Sequence, residues 1–200
     1  GIDISKGEQF AADFLRVSPN NKIPAIVDHA PADGGMSISV FESGAILLYL
    51  AGKTGKFIPA TLRGQVEALE WLMWQMGGLG PMLGQNHHFR HYAPEKIPYA
   101  IERYEKEANR LYGVLDKRLA GRDFILGKAY SSADMASYPW ILPERQGQDL
   151  DDFPNLRRWH AAIKARPATL RAYAKAKEVN SGPRAPVTEE ERKVLFGQDR

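Results

Sequence analysis

Cysteine is absent from all 200 residues. That removes disulfide staples, thiolate metal ligands and a protein-borne thiol nucleophile together, so redox chemistry here needs a borrowed sulfur. Long apolar runs are absent too. No stretch approaches the ~18 consecutive apolar residues of a membrane span, and the opening GIDISKGEQF lacks the basic-then-apolar layout of a secretory leader. A cytoplasmic protein without a membrane partner is expected. One-signed charge is also missing: the net charge is +3 and the pI is near 9.0, but Lys and Arg alternate with Glu and Asp in IERYEKEANR and TEEERKVLF. Nucleic-acid recognition needs a one-signed patch, so no nucleic-acid partner is expected. A composition of 44% hydrophobic and 26% charged residues is that of a globular chain able to bury one large core or two small ones.

Up to residue 55 the chain mixes element types. GIDI reads as a strand end and GEQFAADFLRVS as a short helix. IPAIV and MSISVF read as strands, joined through DHAPADGGM, whose Pro and Gly pair suit a hairpin connection. ESGAILLYLAGKTG then turns helical, with Ile46, Leu47 and Leu50 on one side. From 61 to 177 everything reads as helix. In PEKIPYAIERYEKEANRLYGVLDKRLAG, the residues Ile97, Ile101, Tyr104, Ala108, Leu111, Leu115 and Leu119 recur at spacings of four and three, with Gly121 as the stop. TLRGQVEALEWLMWQMGGLGPMLG is a second helix, with Trp71, Met73, Trp74 and Met76 most simply core and the Gly77-Gly78 pair weakening it. Ser131 lies three residues before Asp134, a capping-box spacing in which Asp replaces Glu. Two further helices part at Pro167, and residues 178–200 form an arm with a short helix after Thr188.

Two short segments point to chemistry. Pro24 stands at the mouth of the AIV strand, where it has no N–H for a ladder. If the Ile23–Pro24 bond is cis, the N–H and C=O of Ile23 can face outward and pair with an extended peptide as an added strand would. Glu42-Ser43-Gly44 opens a helix whose free N–H groups and positive dipole end suit a carboxylate, while the Glu42 carboxylate suits an ammonium; this is a receptor for an α-amino-acid head group. Glu42-Ser43 is also an ordinary N-cap pair, a compatible role. Lys22 and Gln9 lie near the same edge and either could take a second carboxylate. The inferred ligand is a small, extended, doubly anionic peptide with one amine. The histidines of NHHFRH lack the acid of a metalloprotease motif and any Cys, so no metal is expected.

KIPAIVD, then FESGAILLYLA, then an all-helical part with SSADMASYPW, together with NNKIPAIVDH and GGLGPMLGQNHHF, resemble the glutathione transferase superfamily. Within it they are similar to the Nu-class, disulfide-bond oxidoreductase branch, related to the yeast nitrogen-regulator prion protein. The resemblance spans residues 1 to 180. It implies an α/β thioredoxin-like, glutathione-binding domain over residues 1–55, incomplete here, followed by an all-α helical-bundle domain over 61–177. It implies glutathione as cosubstrate, no metal, and a homodimer. Glu42 and Ser43 would hold the γ-glutamyl end, Ile23 beside Pro24 the cysteinyl unit, and Gln9 with Lys22 the glycyl carboxylate. Arg103 would reach the neighbouring subunit's ligand, and Asn86, His87 and Phe89 would line a second-substrate pocket. The implied enzyme reduces small disulfides with two glutathione molecules; conjugation of electrophiles and non-catalytic glutathione binding or regulation are the alternatives. Family members open with a strand and helix, a unit on the order of 30 residues, whose turn carries the thiol-activating residue. This chain starts after it, so that residue and one sheet strand are expected ahead of Gly1, with the vacated sheet edge an aggregation liability.

Overall fold

The computed structural model describes residues 1–179 and 188–196. It divides the chain into two compact units, Gly1–Lys53 with Ala176–Arg200 and Thr54–Lys175. The expected C-terminal arm therefore groups with the first unit, although residues 180–187 and 197–200 of it lie outside the described part.

In the first unit a short 3-10 turn, Glu8–Phe10, leads into α1 (Ala12–Val17). β1 (Ala25–Asp28) and β2 (Ile38–Phe41) then form an antiparallel pair with Ala25 opposite Phe41 and Asp28 opposite Ile38. The hairpin connection turns at Gly34, whose φ of +71° favours glycine, and Asp33 accepts from the Gly35 N–H at 3.0 Å. α2 (Ser43–Thr54) follows directly. GIDI does not end a strand: Asp3 Oδ1 accepts from the Ser5 N–H (3.1 Å) and the Ser5 hydroxyl (2.7 Å), which folds the segment into a turn. The apolar anchor of α2 is thin. Ile46 is buried, but Leu50, expected beside it, is exposed.

The second unit is mostly helix: α3 (Leu62–Trp74), α4 (Gly80–His87), α5 (Pro98–Leu119), α6 (Ser132–Ser137), α7 (Pro143–Gln146), α8 (Pro154–Lys164) and the greater part of α9 (Pro167–Val179), with one β-bridge between Phe124 and Gly127. α10 (Glu189–Phe196) belongs to the first unit; Thr188 Oγ1 caps it by accepting from Glu191 N at 3.2 Å. The Gly77-Gly78 pair, expected to weaken this helix, lies just beyond the end of α3 at Trp74. The chain passes through a π-helical turn, Gln75–Leu79, into α4. A side chain at Gly80 would meet Gln75 Nε2 at 2.7 Å and Trp140 at 3.2 Å, so it would have to displace the Gln75 amide and press on Trp140. A second π turn, His88–Tyr92, ends before Pro94.

The core of this unit joins Leu79 and Leu83, the α5 face of Ala108, Leu111, Leu115 and Leu119, and Leu156, Trp159 and Ile163 of α8. Ile97 is exposed, because α5 begins one residue later at Pro98. Trp71 and Trp74 pack against the core, whereas Met73 points away from it. The capping box of α6 forms as its spacing predicts. Asp134 is fully buried and accepts from Ser131 N (2.9 Å), Ser131 Oγ (2.8 Å), Ile125 N (2.9 Å) and Trp159 Nε1 (2.8 Å).

Candidate functional site

The Ile23–Pro24 peptide is cis. Asn21, at φ +50°, turns the chain ahead of it, and the buried Ser18 hydroxyl fixes the turn by donating to the Lys22 carbonyl at 2.8 Å. The Ile23 side chain is 51% exposed. Among the described residues its N–H and C=O take no hydrogen-bond partner, which is an unfilled edge of the kind that β-augmentation uses. The Lys22 side chain is exposed.

The register Ala25 to Phe41 brings this edge beside the joint between β2 and α2. Glu42 forms that joint at φ +68°, a left-handed conformation rarely adopted by a non-glycine residue. Such positions cost on the order of 1–3 kcal/mol and cluster at ligand clamps. The Glu42 carbonyl accepts from Ile46 N at 2.9 Å, starting the helical ladder. Its carboxylate stays on the exposed side, ahead of the Gly44 and Ala45 amides, which have no acceptor within the helix. Ser43 is half-buried at the first helical position. An exposed carboxylate, the open N-terminal amides of a helix and an unpaired peptide edge thus lie near one another.

Gln9 is 5% exposed, and its buried Oε1 has no partner among the described residues. An orphaned acceptor suits a ligand N–H, and the amide nitrogen of the same group suits a carboxylate.

Asp28, at the far end of β1, accepts from Tyr49 Oη at 2.7 Å and from Lys53 Nζ with Oδ2, and from Ala30 N at 3.0 Å with Oδ1. Lys53 also donates to the Ala30 carbonyl at 2.6 Å. The Lys53 ammonium, then Tyr49 and the Ala30 amide, hold the Asp28 carboxyl down at about 2, and the same contact raises the Tyr49 hydroxyl. Tyr49 and Lys53 are four apart on α2, an available signal, but sequence does not reveal that Asp28 is their partner.

The remaining candidates belong to the second unit. Arg103 is exposed on α5. Its charge helps lower the carboxyl of Glu107, after the stronger effect of Arg110. Glu102 and Lys106, four apart on α5, form an exposed ion pair. Phe89 stacks on Tyr104 with ring centroids 5.5 Å apart, and the His87 ring lies 4.8 Å from that of His91 and 4.9 Å from that of Tyr92. Asn86 differs from its neighbours. It is fully buried, and its Nδ2 donates to Gln146 Oε1 (2.7 Å) and to the Gln146 carbonyl (3.0 Å), so it ties α4 to α7 and does not face an open surface. His91 Nε2 bonds the Arg145 carbonyl at 2.9 Å. Among the described residues no group of three or more His, Cys, Asp or Glu could hold a metal ion, and no helix is long and apolar enough to cross a membrane.

Comparison with known proteins follows the same division. Residues 1–52 match the model of the glutathione S-transferase N-terminal domain, and residues 82–167 that of the C-terminal domain. The disulfide-bond oxidoreductase YfcG of Escherichia coli is 58% identical over 176 residues, covering 88% of this chain and 82% of that protein. A glutathione transferase from Burkholderia graminis, solved with two glutathione molecules bound per subunit, superposes with a TM-score of 0.83 at 43% identity, covering 88% of this chain and 76% of that one. A Pseudomonas putida glutathione transferase, solved with one glutathione disulfide per subunit, gives 0.80 at 38% identity, covering 85% and 76%.

Proposed function

The chain belongs to the glutathione S-transferase family, and from that premise we propose that it works in glutathione-dependent reduction of small disulfides. The observation that carries this reading is the pairing of the unfilled Ile23 edge with the Glu42-led start of α2, held side by side by the Ala25–Phe41 register. Glutathione has the matching form: a γ-glutamyl α-carboxylate for the helix amides and Ser43, an α-ammonium for Glu42, a cysteinyl peptide unit for Ile23, and a glycyl end toward Gln9 and Lys22.

The chemistry is thiol–disulfide exchange. A cysteine-type thiol with pKa ~8.5 is mostly protonated at neutral pH, so the positive end of α2 contributes by favouring the anionic ligand and its thiolate. The thiolate attacks one sulfur of the substrate disulfide, a glutathione mixed disulfide forms, and the other sulfur leaves as a thiolate that takes up a proton. A second glutathione thiolate attacks the mixed disulfide, giving glutathione disulfide and the second free thiol. With no cysteine among these 200 residues, neither step passes through a bond to a sulfur that they carry. The two glutathiones held by the Burkholderia relative and the glutathione disulfide held by the Pseudomonas relative support a reaction that uses two glutathione molecules.

His87 and Phe89 are the proposed contacts of the second substrate. The homodimer is supported by an exposed apolar stripe on α3, Leu62, Val66, Leu69 and Met73, at helical spacings of four, three and four. In such a dimer Arg103 would serve the partner's ligand.

A thiol-coupled assay with a small disulfide and, separately, with an aromatic halide tests the function. Turnover of the disulfide is expected. Turnover of the halide alone would make the protein a conjugating transferase, and glutathione binding without turnover of either would make it a binding protein.

A further inference from the structure

We propose that Asp28, Tyr49 and Lys53 form a clasp that positions the glutathione seat from its opposite end. This rests on the glutathione reading above and adds to it three residues that touch no ligand in that reading.

β1 and α2 both start at the seat and both end at the clasp. Four residues of strand from Pro24 to Asp28 span ~13 Å. From Ser43 to Tyr49 the helix rises ~9 Å, and to Lys53 ~15 Å. Asp28 therefore lies level with the second and third turns of α2, where Tyr49 and Lys53 meet it. Little else fixes the helix against the strand. Gly44, Ile46 and Ala51 are its buried residues, and Leu50 is exposed. Another connection is the covalent joint at Glu42, a residue at φ +68° that a small backbone rotation would relax. Such a rotation swings α2 about its N-terminus and moves the Gly44 and Ala45 amides relative to Ile23. The clasp resists it at the longest lever arm.

The clasp is also chemically stronger than a surface ion pair. The Asp28 side chain is 14% exposed and that of Lys53 30% exposed. The carboxylate accepts three hydrogen bonds, and Lys53 binds both Asp28 and the Ala30 carbonyl. Charge-assisted bonds of this kind are roughly twice as strong as neutral ones.

Asp28→Asn, Lys53→Met, the double variant and Lys53→Arg are compared by calorimetry with glutathione at pH 7, well below each Tm, with Glu42→Ala as the reference for the seat. Each disrupting single variant should weaken binding about tenfold, the double variant no more than either single, as residues acting through one contact behave. Lys53→Arg should restore most of the affinity. A lowered Tm with unchanged affinity in both singles would reduce the clasp to a stabilising contact, and losses that add in the double variant would show that the residues do not act together; either overturns the proposal. If Glu42→Ala also leaves binding unchanged, the seat itself is misassigned and the clasp falls with it. Weakening by Glu42→Ala without weakening by Asp28→Asn faults the clasp alone.

Discussion

Glu42 meets two opposing demands. Its left-handed backbone favours glycine, while the ammonium of the proposed ligand requires its carboxylate. Glu42→Ala removes the carboxylate and keeps a Cβ in the strained conformation; Glu42→Gly removes both. Glutathione binding should fall by about 1.5–3 kcal/mol in each, the range for hydrogen bonds to charged groups. Stability should separate them, with the glycine variant about 1 kcal/mol the more stable in urea unfolding. Equal stability would mean that residue 42 is relaxed in solution, and unchanged binding would remove it from the seat. Asn21 and Phe57 share the positive φ, and Asn21 turns the chain just ahead of the Ile23–Pro24 edge.

Among elements, the link between β1 and α2 carries the clearest pH signature. Asp28 has its carboxyl lowered from 3.8 to about 2, so its contribution to stability is complete above the unfolded value and disappears as pH falls through about 2. Asp134 acts in the opposite sense. Burial pushes its carboxyl up against four donated hydrogen bonds, so any contribution from that shift is present below the unfolded value and lost as pH rises through the folded one. Unfolding measured from pH 5 down to pH 2 should therefore show a shallower acid loss in Asp28→Asn than in the parent chain; parallel curves would mean that the clasp is open in solution. Elements with a strong local code were legible in the sequence: the α5 periodicity, the Ser131–Asp134 capping box, the hairpin, and the start of α10 at Thr188. Those set by distant partners were not. The Gly77-Gly78 pair reads as a weakened stretch of helix, but that the stretch becomes a π turn leading on into α4, with Gly80 packed on Gln75 and Trp140, is not visible locally. Asn86 reads as a pocket residue because its segment does, yet its partner Gln146 is 60 positions away and hidden from any local pattern. Within the seat, Pro24 and Glu42-Ser43 were legible by residue type, whereas the φ of Glu42 and the partner of Asp28 depend on the register of two strands.

At the scale of the whole molecule, the α3 stripe is the feature that an isolated chain leaves unexplained. Leu62 is 77% and Val66 47% exposed, on the face that also carries Leu69 and Met73. Replacing Leu62 and Val66 with Glu should yield monomers in sedimentation velocity while the helical circular-dichroism signal is retained, because neither residue contributes to the core. An unchanged oligomeric state would move the subunit interface elsewhere. If Arg103 serves a neighbouring site, the same variant should also weaken glutathione binding.

Every functional assignment rests on the seat between Ile23 and the start of α2, and a crystal structure of the protein grown with glutathione tests that seat most directly. The predicted electron density shows the cysteinyl unit paired with the Ile23 backbone, the γ-glutamyl carboxylate against Ser43 and the Gly44 amide, and the ammonium at Glu42. Glutathione bound elsewhere, with Ile23 and the first turn of α2 left to solvent, would contradict it.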